Sequence, residues 1–223
     1  MGGTKREIRK DPLDKAIDYY HNKKYQKVLD ILKEQVSSYI YTSRGDEAEY
    51  YLAMSYFNLK DYEDAILEFE FLINNYSQSR YREKAYYYLA LSYYLNSPRI
   101  ERDQADLKKA LHVISDFASD YPDSHLYPQM EKLKKDILNK LSLKMADVIK
   151  TYYNLEKYTS ALLYINLLRK EYPETEGENL SYLFEALIKK EEGVDYSDVL
   201  VRINPDSIPG KFKKYYKKLV AQQ

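Results

Sequence analysis

An all-α fold of repeated helix pairs is what this sequence predicts, and three observations carry it. An aromatic pair, a short polar turn, a tyrosine and an apolar helix recur along the chain in that order. Apolar residues fall at helical spacing, as at Ala65, Ile66, Phe69 and Leu72. Charge is high and balanced, with Lys+Arg 35 against Asp+Glu 35, while Gly and Pro number only 6 and 7 in 223 residues. Such a composition suits long solvated helices better than sheets and turns.

The recurring phrase is first Tyr19-Tyr20-His21-Asn22-Lys23-Lys24-Tyr25. It returns as Tyr56-Phe57-Asn58-Leu59-Lys60-Asp61-Tyr62 and again as Tyr152-Tyr153-Asn154-Leu155-Glu156-Lys157-Tyr158. Helix ends are marked by Tyr76-Ser77, Tyr121-Pro122 and Tyr172-Pro173, with a weaker Asn204-Pro205. Tyr25 and Tyr62 stand 37 residues apart, close to the ~34 of a tetratricopeptide repeat. That motif puts small residues where its two helices touch, and Ala53 and Ala65 in the second repeat, Ala90 and Ala110 in the third, occupy those positions. A helix pair cannot bury its apolar face alone, so the expectation is a tetratricopeptide-repeat superhelix of about five pairs in one domain, 1–223.

The first pair is expected over 13–40 and the second over 46–77. The third, 81–122, carries an insertion from Asn96 to Gln104 between its helices. The fourth, 125–173, opens with an unusually long helix, and the fifth, 177–223, is degenerate. Its tail, Pro209 to Val220, reads as a basic amphipathic helix. Such a helix closes a solenoid with its lysines in water; resting on an anionic membrane surface is its other role.

Several chemistries are disfavoured. There is no excess of positive charge to neutralise phosphates, so no nucleic-acid partner is expected. The sequence has no cysteine, and His21, His112 and His125 are its only histidines. No two of these share a helix face at ligand spacing, which leaves a metal or nucleophile site almost nothing to build on. Glycines at 2, 3, 45, 177, 193 and 210 form no phosphate-cradling loop. No enzymatic activity and no cofactor are expected. No apolar run approaches a membrane span. The opening Met1-Gly2-Gly3-Thr4-Lys5-Arg6 lacks the apolar core of a signal peptide, and Arg6 stands where a myristoylation signal takes Ser or Thr. It looks like an added start, so the native N-terminus is expected to be missing.

Tyrosine is the outlier, with 27 residues and no tryptophan. A ring with a polar tip suits half-buried positions between helices and in grooves. Most of these rings are expected to fill positions that other chains give to Leu, Phe or Trp.

With the repeats laid out, the chain resembles the BamD family, lipoproteins of the outer-membrane β-barrel assembly machinery. The stretch Tyr86-Tyr87-Tyr88-Leu89-Ala90-Leu91-Ser92-Tyr93-Tyr94, then Ser97-Pro98-Arg99 and Asp103-Gln104, resembles that family's long inter-helix insertion. Tyr121-Pro122-Asp123-Ser124 and Leu133-Lys134-Lys135-Asp136-Ile137-Leu138 resemble its helix-opening segment, and Tyr152-Tyr153 and Tyr172-Pro173-Glu174-Thr175 continue in register. The likeness covers about residues 10 to 190, and the tyrosine-rich style is most similar to the Bacteroidota branch.

The resemblance implies a scaffold held at the periplasmic face of the outer membrane by a lipid on an N-terminal Cys, which this sequence does not contain. It implies docking of the C-terminal repeats on the POTRA region of a BamA-like barrel protein. It also implies a groove in the N-terminal repeats for unfolded outer-membrane proteins, with other assembly lipoproteins as possible neighbours. Lys157 and Tyr164 are the candidates for the barrel-protein surface.

In a tetratricopeptide superhelix the first helix of each repeat lines the groove. That places Tyr20 and His21 there from the first repeat, Tyr50, Met54, Phe57 and Asn58 from the second, and Tyr87, Leu91 and Tyr94 from the third. An aromatic, Met-containing groove suits the apolar C-terminal strand of a barrel protein; the alternative is that half of these rings pack against the next repeat. A co-chaperone clamp would need Lys, Arg and Asn at positions that hold Leu13, Ile17, Met54, Tyr87 and Leu91, none of which grips a carboxylate. Another envelope adaptor, in division or peptidoglycan coordination, stays open. Enlarging Ala65→Leu is expected to overpack the contact between its two helices and to cost about 1–3 kcal/mol in a chemical denaturation curve.

Overall fold

The computed structural model describes residues 11–97 and 104–221. Within them the chain is all-α, with eleven α-helices, two short 3-10 turns and no strand. The start of the chain and most of the predicted 96–104 insertion lie outside the described residues. Two compact units emerge, one of residues 11–97 and 104–131 and one of residues 132–221.

The first unit holds α1 (Pro12–His21), α2 (Tyr25–Tyr39), α3 (Gly45–Leu59), α4 (Tyr62–Asn75), α5 (Arg82–Asn96) and α6 (Ala105–Asp120). It also takes the first residues of α7 (Tyr127–Asn154), the 28-residue helix that answers the long helix expected there. Asp11 starts α1 by accepting the Leu13 N–H at 2.9 Å, with Pro12 at the first helical position. Helices pack on their neighbours in chain order, and α3 also touches α1 and α5, so the leading helices of successive pairs lie side by side.

The recurring phrase is a turn with one geometry. Lys23, Lys60 and Glu156 occupy equivalent places in it, and all three are left-handed, at φ 56°, 66° and 56°. The N–H of each bonds back to the second aromatic of the pair: Lys23 to the Tyr20 carbonyl, Lys60 to that of Phe57, Glu156 to that of Tyr153, at 2.8–3.0 Å. The next N–H, of Lys24, Asp61 or Lys157, reaches the carbonyl of Tyr19, Tyr56 or Tyr152 at 2.9–3.0 Å. These paired bonds satisfy carbonyls that the helix end leaves open, and they reverse the chain in very few residues.

At the close of the turn the second helix comes near the first, and only small residues fit between. Ala16, Ala53, Ala65, Ala90 and Ala110 are all fully buried. Gly45 shows how tight the next junction is, since a Cβ there would stand 2.5 Å from the Tyr76 hydroxyl and 2.7 Å from the Tyr39 carbonyl oxygen. Phe69, Leu72 and Phe117 fill the remaining interior of this unit without exposure.

The second unit continues α7 and adds α8 (Tyr158–Glu171), α9 (Glu176–Glu191), α10 (Ser197–Leu200) and α11 (Lys213–Val220), with 3-10 turns at Pro205–Ser207 and Gly210–Phe212. Ile149, Ile165, Leu168, Phe184 and Phe212 are fully buried in its core. Thr175 caps α9 by accepting the Glu178 N–H at 3.3 Å, while the Glu178 carboxylate accepts the Glu174 N–H at 2.6 Å. After α9 the left-handed turn recurs with a glycine: Gly193 at φ 70°, its N–H on Lys190 and the Val194 N–H on Lys189. Here the helical partner is replaced by an irregular segment, pinned where the Asn179 amide donates to the Asn204 carbonyl at 2.9 Å and accepts from its N–H at 2.7 Å.

A lysine in the left-handed region carries a strain of about 1–2 kcal/mol that glycine does not. Lys60→Gly is therefore expected to be neutral or slightly stabilising in thermal unfolding, unlike glycine elsewhere in an exposed helix. Lys60→Val, with a β-branched side chain in the same geometry, is expected to lose about 1–2 kcal/mol.

Candidate functional site

The leading helices α1, α3 and α5 of the first unit carry every residue predicted for the groove. On α3 the positions 50, 54 and 57 share one stripe, and on α5 the positions 87, 91 and 94 share another. Tyr50 and Met54 sit deeper than a lining position requires, at 9% and 5% exposure. The Tyr50 ring is covered by Tyr81, stacked at 4.4 Å with the planes 16° apart. Phe57, Tyr87, Leu91 and Tyr94 are half-buried, whereas His21 and Asn58 are exposed.

The rings form two aromatic groups along these helices. Tyr20 meets Tyr51 edge-on at 5.0 Å, and His21 meets the same ring at 6.1 Å. Tyr51 reaches on to Tyr81 at 6.3 Å. Further along, Phe57 packs edge-on against Tyr88 at 5.0 Å, and Tyr88 meets Tyr87 at 5.3 Å. The Asn58 amide donates to the Met54 carbonyl at 2.6 Å and approaches the Tyr20 hydroxyl at 3.5 Å.

Tyr51, Tyr81 and Tyr88 complete this surface and were not among the predicted residues. The tandem pairs Tyr50-Tyr51 and Tyr87-Tyr88 are the signal that could have found Tyr51 and Tyr88, and Tyr81 stands in no such pair. Adjacent residues on a helix differ by about 100° in direction, and the alternation of exposure that decides between them exists only once the neighbouring helices are in place.

One edge of the surface is held by charge. Glu47 accepts from the Tyr81 hydroxyl at 3.1 Å, from Arg80 at 3.1 Å and from Arg44 at 2.9 Å. Arg44 then spans to Asp11 at 3.0 Å and Asp14 at 2.8 Å on α1. Arg80 also lies over the Tyr81 ring, 4.7 Å from its centre. Burial raises Tyr20 to about 12 and lifts Tyr50 and Tyr51 as well. These hydroxyls stay neutral at any physiological pH, and the surface offers rings and hydroxyls rather than charge.

Behind Tyr50, on the same helix, Glu49 is only 2% exposed, and its Oε1 has no hydrogen-bond partner among the described residues. Burial first, then the neighbouring Glu68, pushes its carboxyl up to about 9. It is therefore protonated at neutral pH.

In the second unit Lys157 is exposed in the turn before α8, and Tyr164 stacks on Tyr152 at 5.2 Å with the planes 18° apart. Near them in sequence Leu155, Leu163 and Leu167 are exposed to 58%, 67% and 37%. Leu163 and Leu167 sit one turn apart on α8, so an apolar stripe faces outward there. Among the described residues no cluster of three or more His, Asp and Glu side chains stands ready to hold a metal. Nor is any described helix long and apolar enough to cross a membrane.

A family model described as YfiO, outer membrane lipoprotein, matches residues 9–193. That span takes in the whole aromatic surface and the α8 stripe. No curated protein matches the chain.

A carboxyl whose folded pKa is raised favours folding while it is protonated, so this contribution is lost as pH climbs from the ordinary carboxylate range through about 9. Glu49→Gln mimics the protonated form. It is expected to be more stable than the parent at pH 8 by at least about 1 kcal/mol, with the difference vanishing near pH 4, as read by denaturant melts across that range.

Proposed function

Because the chain belongs to the YfiO family of outer membrane lipoproteins, we propose that it is a non-catalytic scaffold of outer-membrane β-barrel assembly. In this reading it works at the periplasmic face of the outer membrane, held there by an N-terminal lipid, in a Bacteroidota-like cell. The observation that carries the substrate role is the neutral aromatic surface of α1, α3 and α5. Rings with hydroxyl edges give sequence-tolerant contact to an extended, partly apolar segment, and an unfolded barrel protein offers such a segment in its C-terminal strand.

Tyr20, His21, Tyr51, Phe57, Asn58, Tyr81, Tyr87, Leu91 and Tyr94 line this surface in the proposal, with Tyr50 and Met54 supporting it from beneath. The apolar stripe Leu163 and Leu167 on α8, with Leu155, Lys157 and Tyr164, is proposed as the seat for the POTRA region of a BamA-like barrel protein. Exposed leucines grouped on one helix face mark a protein contact more often than a solvated surface.

His21→Ala with Tyr51→Ala is expected to weaken binding of a peptide from the C-terminus of an outer-membrane barrel protein at least about tenfold, by fluorescence anisotropy, with helicity unchanged. Unchanged affinity in the folded variant would overturn the groove. Tyr50→Ala is expected to lower stability more than affinity, since its ring is covered. In a pull-down from envelope extract the chain is expected to retain a POTRA-containing barrel protein, and Leu163→Glu to lose it. Recovery of division or peptidoglycan proteins instead would transfer the function to another envelope adaptor.

A further inference from the structure

Among the described helices α11 is the strongest amphipath, and its two faces have different fates. Phe212, just before it, and Tyr215 and Leu219 on it are buried in the core of the second unit. Their burial is reinforced by the Tyr215 hydroxyl, which donates to Asn154 at 3.0 Å, and by Lys190, which donates to the carbonyls of Lys218 and Leu219 at 3.1 and 2.9 Å. The apolar face therefore seals the unit and has no vacancy for insertion into a bilayer.

The opposite face is lysine. Some of the basic residues in this region are committed to internal pairs: Lys211 to Asp147 at 2.5 Å, and Lys218 to Glu191 at 2.7 Å. Lys213, Lys214 and Lys217 are in no such ion pair, although the Lys214 ammonium lies 5.0 Å from the centre of the Tyr215 ring. All three are exposed and sit within one arc of the helix, and among the described residues none has a carboxylate partner. Tyr216, half-buried, and Val220, 37% exposed, border this arc.

We infer that the Lys213–Lys214–Lys217 face of α11 rests on anionic phospholipid head groups, docking the second unit on the membrane surface through charge rather than insertion. Lysine is a compact, strongly hydrated point charge on a flexible stem, suited to a diffuse anionic surface. A defined acidic site on a protein is more often read by the planar fork of arginine, and this arc contains none. Three lysines exposed on one helix arc can all reach a plane of head groups at once. The membrane is also the surface beside which a family of outer membrane lipoproteins resides. For a tethered chain even a weak surface attraction is amplified, because the tether makes the second contact intramolecular. The inference rests on this family residence alone and not on the peptide groove or the barrel-protein seat.

The test is co-sedimentation of the 223-residue chain with vesicles of phosphatidylcholine alone and with about a third phosphatidylglycerol. Binding to the anionic vesicles is expected to exceed binding to neutral ones by roughly 100-fold, the factor that three lysines at a membrane surface supply. It should fall steeply between low and physiological salt. Lys213→Gln, Lys214→Gln and Lys217→Gln together are expected to abolish the difference while leaving helicity and peptide affinity intact. Equal binding to both vesicle types, or undiminished anionic binding by the triple variant, would overturn the inference. So would a lysine-dependent pull-down of an acidic envelope protein without vesicle binding, which assigns the face to a protein partner.

Discussion

The left-handed turn between paired helices is the constraint on which the rest of this structure depends. At Lys23, Lys60 and Glu156 one residue with positive φ lets two successive N–H groups return to the carbonyls of an aromatic pair. The chain reverses so abruptly that the following helix must lie against the one before it. That proximity admits alanine and little else at the contact, which is why Ala53 and Ala65 are buried to zero exposure. The same turn survives at Gly193, where the helix that ought to follow has given way to an irregular segment and a short cap.

From this constraint the tyrosines acquire their roles. The two aromatics before each turn stand at the end of a leading helix, so Tyr20 and Phe57 come to the shared face of α1, α3 and α5. Their ring–ring contacts at 5.0 Å, to Tyr51 and Tyr88, are the lateral glue between neighbouring pairs. Surface and scaffold are thus one set of side chains, and a residue of this surface cannot be wholly independent of stability. The ion network from Asp11 and Asp14 through Arg44 to Glu47 and Tyr81 fixes one edge of that face, so the fold itself sets the ring positions there.

The helical architecture was legible because it is written in local signals: a repeated aromatic phrase, Tyr-Pro helix ends, alanines at helical spacing. The leading helices were legible for the same reason. Which ring of each tandem pair opens to solvent was not, because Tyr50 and Tyr51 differ only by their angle around α3, and Tyr81, just before α5, decides the matter from elsewhere in the chain. The α8 stripe was missed because a leucine at helical spacing is core by default; exposure at Leu163 depends on which neighbours are absent. Glu49 was equally invisible, being one carboxylate among 35 acidic residues until packing closed over it. The amphipathic tail, by contrast, announced its lysine face in sequence, and packing then showed where its apolar face is spent.

The most direct test of the central claim, that the neutral aromatic face of the first unit holds unfolded outer-membrane protein, is site-specific photocrosslinking. A benzophenone amino acid would replace Tyr51, and in a parallel chain His112, exposed on α6, during synthesis of an outer-membrane barrel protein in the cell. The account predicts a crosslink from position 51 to the unfolded barrel polypeptide near its C-terminus and none from position 112. Equal crosslinking from both positions, or capture only of folded envelope proteins at position 51, would contradict it.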